Sequence, residues 1–139
     1  MRVTLSDEAR RYIALFAEET DVQARDCLVG EERLVFLVPA GEMGQAIGPG
    51  GRRVKRVERA VNREVALVED ADRPEAFVAN ALAPAAVYNV TVSENGDTVA
   101  YAEVDEADRG VAIGTGGRNI AAARELARRH FDIDDVELA

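Results

Sequence analysis

Apolar residues recur at helical spacing near the start of the chain, where Ala9, Tyr12, Ile13 and Phe16 share one face behind Ser6 and the acidic pair Asp7 and Glu8. A serine N-cap, carboxylates at the positive end of a helix dipole and a 3.6-residue apolar period together predict a helix with one buried side. Residues 22–29 and 33–38 then read as two strands, and Gly30-Glu31-Glu32 between them marks the turn that joins them. Pro39 to Gly41 break the run, and a short helical turn over residues 42–47 leads into a cluster of glycines. Beyond it, Val54, Val57 and Val61 mark the inner face of another helix, and residues 64–68 read as a closing strand.

The same order returns in the second half. A helix is predicted over residues 75–82, entered at Pro74 and ended near Pro84. Strands at 87–92 and 98–104 flank Glu94-Asn95-Gly96-Asp97, whose Asn-Gly pair favours a hairpin. A helical stretch at 105–113, a second glycine cluster, a helix at 118–131 and a strand at 133–138 complete the unit. The repetition is explicit in the residues. Gly44-Gln45-Ala46-Ile47-Gly48-Pro49-Gly50-Gly51-Arg52 recurs as Gly110-Val111-Ala112-Ile113-Gly114-Thr115-Gly116-Gly117-Arg118, identical at seven of nine positions and displaced by 66 residues. Self-similarity at a fixed offset signals a duplicated structural unit. Asp70-Ala71-Asp72-Arg73-Pro74 is the one credible junction, dividing the chain into domains 1–70 and 71–139. Units this small bury little core each, so they are expected to pack together with little freedom.

Composition narrows the chemistry. With 139 residues, 47% hydrophobic and 31% charged, the chain is globular. One cysteine (Cys27) and one histidine (His130) exclude a disulfide framework and the usual zinc ligand sets. The N-terminal residues Met1 to Glu8 turn acidic where a secretory leader would be apolar, and no apolar run approaches the ~18 residues of a spanning helix, so a cytoplasmic protein with no membrane partner is expected. A formal charge of −9 would ordinarily argue against nucleic acid. Sixteen arginines beside a single lysine, Lys55, in a carboxylate-rich chain point instead to a very salty cell interior, where acidic surfaces stay hydrated. Placement of positive charge then says more than the total. Residues 48–63 carry a local charge of +5 and residues 114–130 one of +3, leaving −17 on the rest.

A glycine cluster between two helices lets backbone approach a ligand closely, and its N–H groups with the next helix's N-terminus favour an anion. Dinucleotide binding fails on spacing, because Arg53 and Asn119 stand where a third glycine belongs; the phosphate loop of nucleotide hydrolases fails because no Gly-Lys-Ser/Thr follows. Ile-Gly-x-x-Gly-x-x-Ile/Val between two helices remains, the pattern of the KH domain, whose loop clamps a single-stranded nucleic-acid backbone. Arg52, Arg53 and Arg118 are the foremost phosphate contacts, with Arg56 and Asn119 beside them, and Lys55, Arg59 and Arg63 also lie opposite the valine face. Ile47, Val54, Ile113 and Ile120 serve core packing and are candidates for an apolar groove holding unstacked bases. No catalytic constellation stands out: Cys27 sits on a predicted strand far in sequence from His130, Ser6 and Ser93 lack local partners, and Asp132, Asp134 and Asp135 lack the spacing of a calcium loop. A non-enzymatic, monomeric protein without cofactor is expected.

From Leu15-Phe16 and Arg25-Asp26-Cys27, through both Ile-Gly-x-Gly-Gly loops, to Arg129-His130-Phe131-Asp132-Ile133-Asp134-Asp135-Val136, the whole chain resembles the archaeal NusA family of transcription factors. The resemblance implies an α+β fold of two tandem type II (prokaryotic) KH domains, each α-β-β-α-α-β with a three-stranded sheet packed on helices. It implies single-stranded RNA as partner, with a role in transcription elongation, pausing or termination. Carried over, the loop residues are Gly48, Pro49, Gly50, Gly51 and Gly114, Thr115, Gly116, Gly117. The second loop position, often lysine in relatives, is Pro49 in one copy and Thr115 in the other, so phosphate contact falls to the following arginines and to backbone donors. Affinity is then expected to fall less steeply with salt than in a lysine-rich homologue. The polymerase-binding region and S1 domain of bacterial relatives have no counterpart in these residues. RNA polymerase and other transcription factors are further candidate partners. The alternative reading is an acidic interaction module that docks on polymerase or a ribosomal component, with the KH units as scaffold.

Overall fold

The computed structural model describes residues 3–139; Met1 and Arg2 of the N-terminal stretch lie outside the described residues. Two compact units emerge, one built from Thr4–Asp70 and the other from Ala71–Ala139 together with Val3.

In the first unit, α1 (Asp7–Thr20) starts at Ser6, whose Oγ accepts from the Ala9 N–H at 3.1 Å. It ends where Asp21 turns left-handed at φ 60°. Strands β1 (Asp26–Val29) and β2 (Arg33–Val38) pair antiparallel, and β3 (Glu64–Glu69) joins β2 in parallel, with Phe36 opposite Leu67. Ala9, Ile13 and Phe16 of α1 meet Leu34, Phe36 and Val38 of the sheet, with the Phe16 and Phe36 rings stacked at 4.4 Å. Helices α2 (Met43–Ile47) and α3 (Arg52–Val61) contribute Ala46 and Val57 to the same core. The apolar period of α3 is realised mainly at Val57, which is fully buried, whereas Val54 and Val61 are half-buried.

The second unit repeats the topology. Its elements are α4 (Pro74–Ala81), β4 (Val87–Asn95), β5 (Asp97–Val104), α5 (Arg109–Ile113), α6 (Arg118–Phe131) and β6 (Asp135–Leu138). β4 and β5 pair antiparallel and β5 and β6 parallel, giving the order β4-β5-β6 that mirrors β1-β2-β3. Phe77 and Phe131 pack at 4.8 Å, and Ala100, Ala102, Ala123, Leu126 and Val136 are all buried.

Element order and type agree with the sequence reading, and the departures have local causes. The first strand starts at Asp26, not residue 22, because its partner β2 stops at Pro39. Val22 and Ala24 have no ladder to join, yet both are buried. The hairpin is tighter than the predicted turn over 94–97: pairing continues to Asn95 opposite Asp97, with Gly96 alone at the tip at φ 85°. The stretch before the second glycine cluster is a 3₁₀ turn (Glu106–Asp108) followed by α5, not one helix. Asp105 caps the 3₁₀ turn, accepting from the Ala107 N–H at 3.0 Å and from the Tyr88 hydroxyl at 2.5 Å, and the break falls at Asp108, at φ −102°, ψ 2°. The last strand starts at Asp135, since Asp132 ends α6 in a left-handed turn and Asp134 instead bonds to Thr98 through both backbone and side chain.

Candidate nucleic-acid interface

Each glycine loop is set up by the single helical turn before it. Ala46 in α2 and Ala112 in α5 are completely buried, which aims the next residue outward; Ile47 and Ile113 keep 39% and 40% of their surface exposed. The chain then needs a conformation closed to side chains. Gly48 and Gly114 lie at φ 75°, ψ 170° and φ 79°, ψ 169°, a region essentially reserved for glycine. Their N–H groups close the preceding turns on Gly44 and Gly110 at 2.9 and 2.8 Å. Gly50 and Gly116 follow at φ 60° and 63°, and a Cβ added at either would meet nothing within 4 Å. The loop crest is therefore bare backbone facing open space, leading directly into the N-termini of α3 and α6, a disposition that favours an anion.

Behind the crest the situation reverses. A Cβ at Gly48 would lie 2.7 Å from Arg53 Cγ, and one at Gly114 would lie 2.6 Å from Asn119 Cγ. Those side chains fold back beneath the loop: Arg53 Nη1 donates to the Gln45 carbonyl at 3.1 Å and Asn119 Nδ2 to the Val111 carbonyl at 2.8 Å. The two bonds are equivalent, each joining the second residue of the outgoing helix to a carbonyl in the incoming turn. A charged residue and a neutral amide thus do one structural job, bracing the loop across its base.

Arg53 and Asn119, placed by sequence among the phosphate contacts, each give one N–H to these carbonyls. Arg56 is likewise engaged, donating through Nε to Glu19 Oε2 at 3.2 Å and through Nη2 to the Glu19 carbonyl at 3.0 Å. Arg52 is exposed, and among the described residues its guanidinium makes no ion pair; Arg118 is exposed at the equivalent position. Pro49 and Thr115 are exposed at the crest. Of the four aliphatic candidates, Ile47 and Ile113 are open to solvent and Val54 is half-buried. Ile120 is only 7% exposed, so it belongs to the core and cannot line an open groove.

The remaining candidates have structural employment. Cys27 is buried, and burial reinforced by Asp26 pushes its thiol up to about 12, leaving no thiolate for nucleophilic chemistry near neutrality. His130 lies 5.9 Å from the Phe77 ring. Asp135 pairs with Arg124 at 2.8 Å, and no group of three or more acidic, histidine or cysteine side chains able to hold a metal occurs among the described residues. No helix among those residues is long and apolar enough to cross a membrane. The carbonyl acceptors Gln45 and Val111 escaped sequence reasoning, since the partner of a brace eight residues away carries no compositional mark.

Two α-β-β-α-α-β units, each with a Gly-x-x-Gly loop between its last two helices, define a tandem KH protein. Comparison with known families agrees: residues 74–139 match the NusA-like second KH domain, and residues 10–88 match the KH domain. Proteins named "Probable transcription termination protein NusA" from Halobacterium salinarum and Halococcus morrhuae are each 63% identical to the chain, covering 99% and 100% of it and the same shares of their own lengths. The crystal structure of APE1850 superposes with a TM-score of 0.84 at 35% identity, covering 97% of this chain and 100% of that one. The chain belongs to the archaeal NusA family. Its acidic, nearly lysine-free composition fits the halophilic genera of those relatives.

Proposed function

We propose that the chain is a single-stranded RNA-binding factor of transcription elongation or termination, with two KH domains dividing at Asp70–Ala71. Each domain clamps the RNA backbone with its glycine loop. The observation that carries this reading is the paired crest: Gly50 and Gly116 share one left-handed geometry, open space above them and a helix N-terminus behind. The N–H groups of Gly50 and Gly116, together with Arg52 or Arg118, take the phosphates, while Ile47 and Ile113 offer an apolar surface to unstacked bases. The 5% aromatic content argues for this aliphatic mode over base stacking on rings.

The test replaces both crests with carboxylates, combining Pro49→Asp, Gly50→Asp, Thr115→Asp and Gly116→Asp. Crosslinking to single-stranded RNA is expected to disappear, because carboxylates repel phosphates, while circular dichroism keeps the wild-type fold and the melting transition falls only by the several degrees that side chains at the left-handed Gly50 and Gly116 cost. RNA binding that survives these changes would refute the clamp and favour the acidic surface as the working face.

A further inference from the structure

The duplication supplies an internal control for the charges on the helices that leave the loops. At the 66-residue offset, Lys55, Arg56 and Arg59 of α3 correspond to Ala121, Ala122 and Glu125 of α6. The fold does not require cations there, since the second copy builds the corresponding helix and the same loop without them.

Pairing sharpens the contrast. On α6, Arg124 is bound to Asp135 at 2.8 Å, Arg128 to Glu125 at 2.6 Å, and Arg129 lies 3.9 Å from the same Glu125. On α3, Arg56 is the cation held by a carboxylate, Glu19. Arg63 is held without charge neutralisation, its guanidinium 5.3 Å from the Tyr12 ring centroid and Nη1 donating to the Gly30 carbonyl at 3.2 Å. Arg52, Lys55 and Arg59 are exposed and make no ion pair among the described residues. These three fall at i, i+3 and i+7, on one face over ~10 Å of helix. The row starts at the loop crest and runs into an open concavity of about 620 Å³ lined by Lys55, Glu58, Arg59, Asn62, Arg63 and Glu64. Of its two carboxylates, Glu58 is turned to the backbone, accepting from the Val65 N–H at 3.0 Å.

We propose that the exposed row Arg52–Lys55–Arg59 on α3 is a second contact for the RNA backbone, present in the first domain and absent from the second. It rests on the RNA-binding reading of the loops and extends it. A strand clamped at the first crest continues along α3, where unpaired cations take its next phosphates, while the second domain holds RNA by its loop and Arg118 alone. In a chain of net charge −9, an unneutralised cationic row selects a polyanion. Its position, continuous with the loop, selects the strand already held there over a separate acidic protein.

The experiment gives the first domain the second domain's residues, Lys55→Ala with Arg59→Glu, in the full chain. Binding of a fluorescein-labelled single-stranded RNA is followed by anisotropy across a KCl series. The variant is expected to bind about tenfold more weakly, and its plot of log affinity against log salt to flatten by roughly 1.4, the loss of two phosphate contacts on a single strand. The reciprocal change, Ala121→Lys with Glu125→Arg, is expected to tighten binding and steepen the plot. An unchanged affinity and slope in both variants would overturn the proposal, as would loss of affinity with no change of slope. The crest variant run alongside separates the two claims. If it abolishes binding while the α3 variant is silent, only the second contact fails; if it binds normally while the α3 variant does not, the loop reading fails. A wild-type chain that does not bind the probe refutes both.

Discussion

The two glycine loops agree in backbone angle to within a few degrees, with φ of 75°, 60° and 77° at Gly48, Gly50 and Gly51 against 79°, 63° and 78° at Gly114, Gly116 and Gly117. Beyond Arg52 and Arg118, the helices they launch differ in surface charge: α3 carries Lys55 and Arg59, which make no ion pair among the described residues, and α6 shows arginines tied to Glu125 and Asp135. The comparison separates what the loop needs from what it leaves free. A sharp reversal against a bracing side chain admits only glycine at Gly48 and Gly114, so those positions coincide. An exposed helical face has no such constraint, and its charge has diverged while the skeleton stayed fixed.

The largest effect expected from this asymmetry comes from breaking one crest at a time. Pro49→Asp with Gly50→Asp should weaken RNA binding about a hundredfold, and Thr115→Asp with Gly116→Asp about tenfold, because phosphates next to the first crest lose more cationic partners. Titration of each variant with the same RNA checks it, and equal losses would remove the asymmetry. A smaller, purely structural effect distinguishes positions within a loop. Gly48→Ala or Gly114→Ala should cost about 3 kcal/mol in denaturant unfolding, combining a glycine-only backbone with a side chain under 3 Å away. Gly50→Ala, with open space above it, should cost roughly 1 kcal/mol from the left-handed backbone alone. The smallest effect concerns the braces. Asn119→Ala should cost about 1 kcal/mol and speed amide exchange in the second loop, whereas Arg53→Asn should leave the first loop as protected as wild type, because asparagine already does this work in the other copy. Faster exchange in the Arg53→Asn protein would show that the two braces are not interchangeable.

Much of the architecture was legible because its signals are local. The serine cap, the apolar period of α1, the Asn-Gly tip and the duplicated glycines are each read within a few residues, and together they set the order of elements. Strand limits were less legible, since Val22 and Ala24 alternate with polar residues like a strand but find no partner once β2 stops at Pro39. The crest of the site could be read from the glycines, whereas the fate of its cations could not. Arg53, Arg56 and Arg52 look alike in sequence; only the fold turns one under the loop, a second onto Glu19, and leaves the third exposed. Ile120 and Ile47 likewise share an aliphatic character, but one is core and the other surface.

Amide chemical shifts recorded during titration of the isotopically labelled full chain with single-stranded RNA test the clamp most directly. The N–H signals of Gly50 and Gly116 should move first and furthest, with Arg52 and Lys55 following in the first domain. Glycine signals that stay fixed while resonances on the acidic faces shift would contradict the account.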